Sequence, residues 1–150
     1  MVLGYHAQFR DEDWTETQVE MVPLCLDMGV GLIPWSPLAR GFLAGNRRKE
    51  DWGETVRAKH DPFAHSMYYA DADFRVVERV VEVAGRLGCR PAQVALAWLL
   101  GKPGVSAPIV GATKMQHLED AVAAVDLVLS PEDVALLEEP YVPHPVLGHS

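Results

Sequence analysis

The sequence contains no long hydrophobic run, and its longest uninterrupted apolar stretch is the seven residues of Val94–Leu100. A membrane-spanning helix needs about 20 such residues, so none is predicted. The N-terminal region becomes charged at Arg10–Asp13 without a basic and then an apolar segment, so no signal peptide is predicted. The two cysteines, Cys25 and Cys89, are too few for a disulfide framework or a cysteine-rich metal site. These absences favour a cytoplasmic protein with no membrane partner.

Several common site signatures are also missing. Neither G-x-G-x-x-G nor G-x-x-x-x-G-K-[ST] occurs, so a Rossmann site and a P-loop lack their glycine patterns. No G-x-S-x-G motif surrounds a candidate nucleophile. His60 and His65 are five residues apart, as are His144 and His149, but no further metal ligands accompany either pair. Surface histidines are the simpler interpretation, and no metal site is predicted.

Basic residues are scarce relative to acidic ones. The chain of 150 residues has 13 Lys+Arg against 21 Asp+Glu, a net charge of −8, and 49% hydrophobic residues. These proportions are typical of one globular domain over residues 1–150 and argue against a nucleic-acid partner. Arg40–Lys59 nevertheless contains six basic residues against three acidic ones, whereas 115–150 contains no Lys or Arg. A local basic segment in an acidic protein favours a small anionic ligand, with a solvated basic loop as the alternative.

The spacing of apolar residues predicts helices that alternate with two short strands. Helical spacing occurs in Thr15–Met28, Asp71–Leu87, a stretch from Pro91, Thr113–Val125 and a short helix from Ser130. Val30–Trp35 is typical of a buried strand and Ala107–Val110 of a short strand, and Ser36–Tyr69 is predicted to be a long loop. Residues 140–150 are predicted to be an irregular tail. Strands joined through helices are expected to be parallel.

Individual residues are expected to set the helix ends and the buried faces. Those at helix ends are Pro23 (a kink), Gly29 and Gly88 (stops), Pro91 (first turn), Thr113 with Gln116, and Ser130 with Asp133 (caps). Those on the buried face of the helix over 71–87 are Val77, Val80, Val81, Ala84 and Leu87. Val94–Leu100 is apolar all round, which predicts burial on more than one side.

Two segments could bind a ligand. Trp35–Gly41 follows the first strand, and Gly111–Thr113 follows the second. Ligands bind at the carboxyl ends of parallel strands, and a helix start offers unpaired N–H groups to an anion. An ordinary turn remains the alternative at both places. Because two strands alone do not make a stable parallel sheet, the chain is expected to be part of a larger α/β fold and to self-associate through exposed edges.

Three blocks in this order together resemble the aldo-keto reductase family: Gly31–Gly41 (GLIPWSPLARG), Pro91–Trp98 (PAQVALAW) and Pro108–Thr113 (PIVGAT). The similarity is strongest to the bacterial branch that resembles potassium-channel β subunits, and it leaves residues 1–13 poorly matched. The resemblance implies the C-terminal part of a (β/α)₈ TIM barrel, strands seven and eight with their helices. It also implies NADP(H) as cofactor and the reduction of aldehydes or ketones to alcohols.

The resemblance implies a cofactor site in the same blocks. Its implied contacts to the nicotinamide and pyrophosphate are Trp35 (ring stacking), Ser36, Pro37, Leu38, Ala39, Gly41, Arg40 (added charge) and Arg57 (a loop over the cofactor). Its implied contacts to the adenosine end are Gly111, Ala112, Thr113, His117 and Asp120. His117 stands where the family often has Arg or Gln, which weakens a preference for NADP over NAD.

No catalytic residue is assigned, because the catalytic Asp, Tyr, Lys and His implied by the resemblance belong to earlier strands. The favoured hypothesis is the cofactor-binding part of an NADP(H)-dependent aldo-keto reductase, inactive as an isolated chain. Completed by an N-terminal half, it would act on a small carbonyl substrate. Two alternatives are a non-catalytic nucleotide-binding or regulatory subunit that pairs with another chain, and a structural remnant that binds nothing.

Overall fold

The computed structural model describes residues 22–45 and 71–141. In chain order the described elements are α1 (Val22–Asp27), a 3₁₀ segment (Ala39–Ala44), α2 (Asp71–Leu87), α3 (Pro91–Leu100), α4 (Met115–Ala123) and α5 (Pro131–Glu138). The first part of the predicted helix over 15–28, residues 1–13, most of the predicted loop and the tail from residue 142 lie outside these ranges. None of the described helices is long and apolar enough to cross a membrane.

The two predicted strand segments pair in parallel, which confirms the expected direction. The predicted burial of Val30–Trp35 is wrong, because Val30, Ile33 and Trp35 are each at least half exposed. Leu32 bridges Val105, and Trp35 bridges Ile109. The pairing is limited to these isolated bridges, and the described residues contain no longer strand. Pro34 and Pro108 supply a physical reason, because a proline has no N–H to donate to the ladder. The second segment also pairs from Val105 rather than from the predicted Ala107.

The core lies where α2, α3 and the 3₁₀ segment pack together, with α5 against α2. Phe42 of the 3₁₀ segment meets Phe74 of α2 edge-to-face, with ring centroids 5.2 Å apart. Residues 94–99 of α3 are all buried, which confirms the prediction of burial on several sides. Trp98 belongs to this core. The long loop predicted over Ser36–Tyr69 is therefore partly wrong, since Ala39–Ala44 is a 3₁₀ segment that packs into the core.

The predicted buried face of α2 is only partly correct. Val77, Val80 and Ala84 are buried as expected, but Val81 and Leu87 are exposed. The residues that complete the buried face instead are Phe74, Val76 and Val83. Apolar spacing alone did not separate the two possible stripes, and the elements packed against α2, which are α3, α5 and the 3₁₀ segment, select between them.

Local helix-end predictions are mostly confirmed. At Gly29, with φ +65°, Val30 N donates to Cys25 O at 2.7 Å, and Gly88 ends α2 in the same way, with φ +66°. Ser130 Oγ accepts from Asp133 N at 3.1 Å, while Asp133 Oδ2 accepts from Ser130 N at 3.0 Å, which is the expected capping box. Pro91 occupies the first turn of α3.

The predicted cap at Thr113 is wrong. The N-cap of α4 is Lys114, whose side chain makes no capping hydrogen bond, and the helix ends at Ala123 instead of Val125. The Thr113 hydroxyl lies 3.4 Å from His117 Nδ1. It is thereby directed to a side chain one turn along the helix rather than to the backbone N–H of Gln116.

Polar contacts tie the C-terminal helix α5 to the core helices. Glu138 Oε1 accepts from Trp98 Nε1 at 3.0 Å and pairs with Lys102, whose Nζ lies 4.3 Å from the centroid of the Trp98 ring. Arg79 of α2 pairs with Glu139 at 2.9 Å. These contacts hold α5 against both α2 and α3.

Candidate functional site

Both candidate segments leave the same end of the parallel pair. Trp35 bridges Ile109, and Ile109 N donates to Pro34 O at 2.8 Å. Ser36 follows directly after this bridge on one side, and Gly111 follows two residues after it on the other. The structure therefore brings the Trp35–Gly41 and Gly111–Thr113 segments to one edge, where α/β folds bind ligands.

The first segment has a constrained backbone. Ser36, Ala39 and Arg40 have positive φ angles of 55°, 47° and 57°, and Gly41 has one of 92°. Left-handed conformations are uncommon for residues other than glycine, and they persist only where the surroundings hold them. Here Gly41 N donates to Leu38 O at 2.9 Å, and the buried Phe42 anchors the segment in the core. The segment is therefore held in one shape before any ligand binds.

Side chains of this segment divide into anchors and accessible groups. Pro37 and Ala39 are buried, so they support the loop from its buried side and offer no surface to a ligand. Trp35 is 51% exposed and leaves much of its flat ring open to a partner. The residues of the segment that are partly exposed are Ser36, Leu38, Arg40 and Gly41. The segment thus offers an apolar ring, a hydroxyl and a cation along one stretch of backbone.

The second segment is open. Gly111, Ala112, Thr113 and His117 are all exposed. A Cβ placed on Gly111 would meet no atom within 4 Å, so packing within the described chain does not require glycine there. The segment leads into the nine-residue helix α4, whose first-turn N–H groups and positive dipole end favour an anion. Small residues before a helix start leave room for a ligand to approach the backbone.

Asp120 lies on the side of α4 that packs within this chain. Its Oδ1 accepts from Gln116 Nε2 at 3.2 Å and lies 3.4 Å from Arg90 Nε at the start of α3. Asp120 is buried and joins α4 to α3. Sequence reasoning did not find Arg90 or Gln116 as its partners, although a glutamine four residues before an aspartate on a helix is a readable pairing. The role of Asp120 near an adenine stays a prediction.

Arg57 lies outside the described residues. Cys89 is partly buried, and its burial raises the pKa of the thiol above its ordinary value. Over 22–45 and 71–141, no group of three or more His, Cys, Asp or Glu side chains is placed to hold a metal ion.

The described residues form helices around one short parallel pairing, with a candidate ligand-binding edge where the two paired segments end. The sequence profile of the Aldo/keto reductase family matches residues 8–141, so the chain belongs to this family. Members typically use NAD(P)H. Membership implies the (β/α)₈ barrel, of which the described residues show helices and one bridged parallel pair.

Curated relatives agree with this assignment. A Schizosaccharomyces pombe protein with the provisional name aryl-alcohol dehydrogenase is 43% identical over 135 residues, which are 90% of this chain and 37% of the relative. The versiconal hemiacetal acetate reductase of Aspergillus parasiticus is 43% identical over 133 residues, 85% of this chain and 37% of the relative. An aldo-keto reductase of Fusarium vanettenii is 42% identical, over 91% of this chain and 36% of the relative.

Two consequences follow from these relatives. The chain spans little more than a third of the length of each of these proteins, which agrees with a partial barrel. The expected similarity to a bacterial branch near potassium-channel β subunits is corrected, because these relatives are fungal dehydrogenases and reductases. The resemblance that supported a channel-type regulatory subunit loses its basis.

Proposed function

We propose that this chain forms the NADP(H)-binding part of an aldo-keto reductase that reduces aldehydes or ketones to alcohols. One observation carries the proposal: the Trp35 segment and the Gly111 segment emerge side by side at one edge, joined by the Trp35–Ile109 bridge. A dinucleotide has an apolar ring at one end and phosphates further along. The two segments offer a matching exposed ring, a preshaped loop with Arg40 and an open helix start.

The residues of the Trp35 and Gly111 segments offer a separate contact for each part of such a cofactor. The exposed ring of Trp35 offers a stacking face, and the left-handed turns at Ala39 and Arg40 fix the backbone beside it. The open space beside Gly111 lets a phosphate approach the start of α4. Thr113 and His117 add a hydroxyl and an imidazole at that place. When bound, the cofactor would supply the hydride, and these residues would hold and orient it.

The proposed function does not include turnover by this chain alone. No position here matches a catalytic residue of the family, so the proton donor for the carbonyl would come from the remaining part of a barrel. We expect the 150-residue chain to bind cofactor without reducing carbonyl compounds.

Calorimetric titration of the purified chain with NADPH and then NADH tests the proposal. Trp35→Ala should weaken NADPH binding roughly five- to hundredfold, because stacking on an aromatic side chain contributes about 1–3 kcal/mol. Ile33→Ala is the matched control, since Ile33 is an exposed apolar residue of the same strand segment that precedes the loop. A folded chain without measurable NADPH affinity, or equal losses in both variants, would contradict the proposal.

A further inference from the structure

Among the described residues, every left-handed backbone conformation outside glycine lies in one loop. The three residues are Ser36, Ala39 and Arg40, with φ angles of 55°, 47° and 57°. Each such conformation is disfavoured roughly five- to thirtyfold for a residue with a side chain. A loop with three of them keeps its shape only where its surroundings hold it. We call residues 36–41 the left-handed loop, and the contacts that hold it decide the shape of the candidate site.

The left-handed loop is fixed at both of its ends. Before the loop, Trp35 bridges Ile109 in the parallel pair. After the loop, the fully buried Phe42 contacts Phe74 of α2 edge-to-face, with ring centroids 5.2 Å apart and an interplanar angle of 85°. The six residues of the loop must therefore connect two fixed points, and the left-handed turns are how the backbone does so.

The Phe42–Phe74 pair holds its end of the loop by direction as well as by burial. An edge-to-face pair is favourable beyond the area that it buries, and it restricts how each ring is oriented. Phe42 directly follows Gly41, whose φ angle is 92°, so the orientation of the Phe42 ring constrains the last turn of the loop. Ala39 is also fully buried in the same core. A looser Phe42 ring would let the strained residues relax.

We propose that Phe74 is a positioning residue for the candidate site, because it holds Phe42 and thereby keeps the left-handed loop in the shape that binds a cofactor. The anchoring concerns the described residues alone, whereas its use in cofactor binding rests on the proposed function. Affinity falls by the fraction of molecules whose loop has another shape. Loosening the anchor therefore weakens binding without removing any group that contacts the cofactor.

Hydrogen exchange tests the anchor without any cofactor. Gly41 N donates to Leu38 O at 2.9 Å, and Leu43 N donates to the same carbonyl at 3.2 Å, so protection of these two amides reports the shape of the loop. Phe74→Leu should lower their protection factors roughly two- to tenfold, because the edge-to-face contact is lost. Val83→Ala is the matched control, since Val83 is a fully buried core residue near the other end of α2.

Calorimetric titration of the same variants with NADPH tests the use of the anchor. Phe74→Leu should weaken NADPH binding at least twofold, whereas Val83→Ala should leave it unchanged. A wild type that binds no NADPH contradicts the proposed function, and the exchange comparison then still decides whether Phe74 holds the loop. Circular dichroism checks that each variant is folded. Phe74→Met, which fills the same space with a flexible side chain, replaces a Phe74→Leu variant that does not fold.

A rescue variant separates positioning from a general loss of packing. Adding Ala39→Gly to Phe74→Leu should restore both amide protection and NADPH affinity, because glycine adopts the left-handed conformation without a steric penalty. Ala39 is fully buried, so the double variant has less packing than Phe74→Leu alone, and packing cannot cause a recovery. Three outcomes would overturn the proposal: equal protection in Phe74→Leu and Val83→Ala, a loosened loop with unchanged NADPH affinity, or no recovery with Ala39→Gly.

Discussion

At the scale of single residues, the space around a glycine decides its role, because the residue type alone does not. Gly31 and Gly111 both border the parallel pair, yet their surroundings differ. A Cβ on Gly31 would lie 2.0 Å from Ser106 Oγ, whereas a Cβ on Gly111 would meet nothing within 4 Å. A side chain at residue 31 would thus force the Ser106 side chain to move, while Gly111 leaves open space at the candidate site. The sequence contains both glycines without distinguishing these roles.

The contrast predicts opposite effects of the same substitution. Gly31→Ala should lower the free energy of unfolding by about 1–3 kcal/mol, because the added methyl group must displace the Ser106 side chain or separate the paired segments. Gly111→Ala should change it little. Chemical denaturation of both variants measures the difference. The further variant Gly31→Ala with Ser106→Gly should recover stability, and failure to recover would show that a different contact limits residue 31.

At the scale of elements, helix ends were the most predictable features. Gly29, Gly88, Pro91 and Ser130 each act through the nearest few residues, so the sequence contains the whole cause. The helix cap predicted at Thr113 is wrong, because its hydroxyl lies next to His117 Nδ1 and does not cap the helix. The buried faces were less predictable, since Val81 and Val83 of α2 are both apolar and only the neighbouring helix determines which of them is covered.

The capping box of α5 predicts a dependence of stability on pH. The hydrogen bond from the Ser130 backbone lowers the pKa of Asp133 below its ordinary value, with help from the Ser130 hydroxyl and Arg86. The ionised carboxylate therefore stabilises the fold above the unfolded-state pKa of about 3.9, and this contribution is lost as the pH falls through the lower folded-state value. The wild type should therefore lose stability between pH 7 and pH 3 through this carboxylate. Asp133→Ala should not show that part of the loss.

Denaturation of Asp133→Ala at a series of pH values measures this loss. Glu132→Ala is the control, because Glu132 is a neighbouring carboxylate in the same helical turn and is exposed. The destabilisation of Asp133→Ala relative to the wild type should be large at pH 7 and shrink toward pH 3. A destabilisation of equal size at both pH values would show that the cap acts through packing instead of charge.

At the scale of the whole molecule, distant segments are joined by contacts that no local pattern contains. Glu138 of α5 contacts Trp98 near the end of α3 and Lys102 just after it. These residues are 40 and 36 positions away from Glu138 in the sequence. The parallel pair likewise joins Trp35 to Ile109. Through these contacts the C-terminal helix is docked, and the two halves of the candidate site meet at one edge.

The Glu138 contact makes a prediction at this scale. Glu138→Ala should destabilise the chain by about 1–3 kcal/mol, because the buried indole N–H of Trp98 loses its acceptor. Thermal unfolding measures the change, and near-ultraviolet circular dichroism reports the environment of Trp98. Glu78→Ala serves as the exposed control. An unchanged melting temperature in Glu138→Ala would show that the contacts of Glu138 do not contribute to the docking of α5.

The sequence by itself determined the order of the helices and of the two paired segments, most helix ends, the family and the two candidate ligand-binding segments. It did so because helix caps act locally and because the Gly31–Gly41 and Pro108–Thr113 blocks are specific. Only the tertiary structure decided that Asp120 joins α4 to Arg90, that Val83 is buried and Val81 exposed, and that Leu118 and Val122 of α4 are exposed. These outcomes depend on which surfaces meet, and periodicity shows only that a helix has an apolar side.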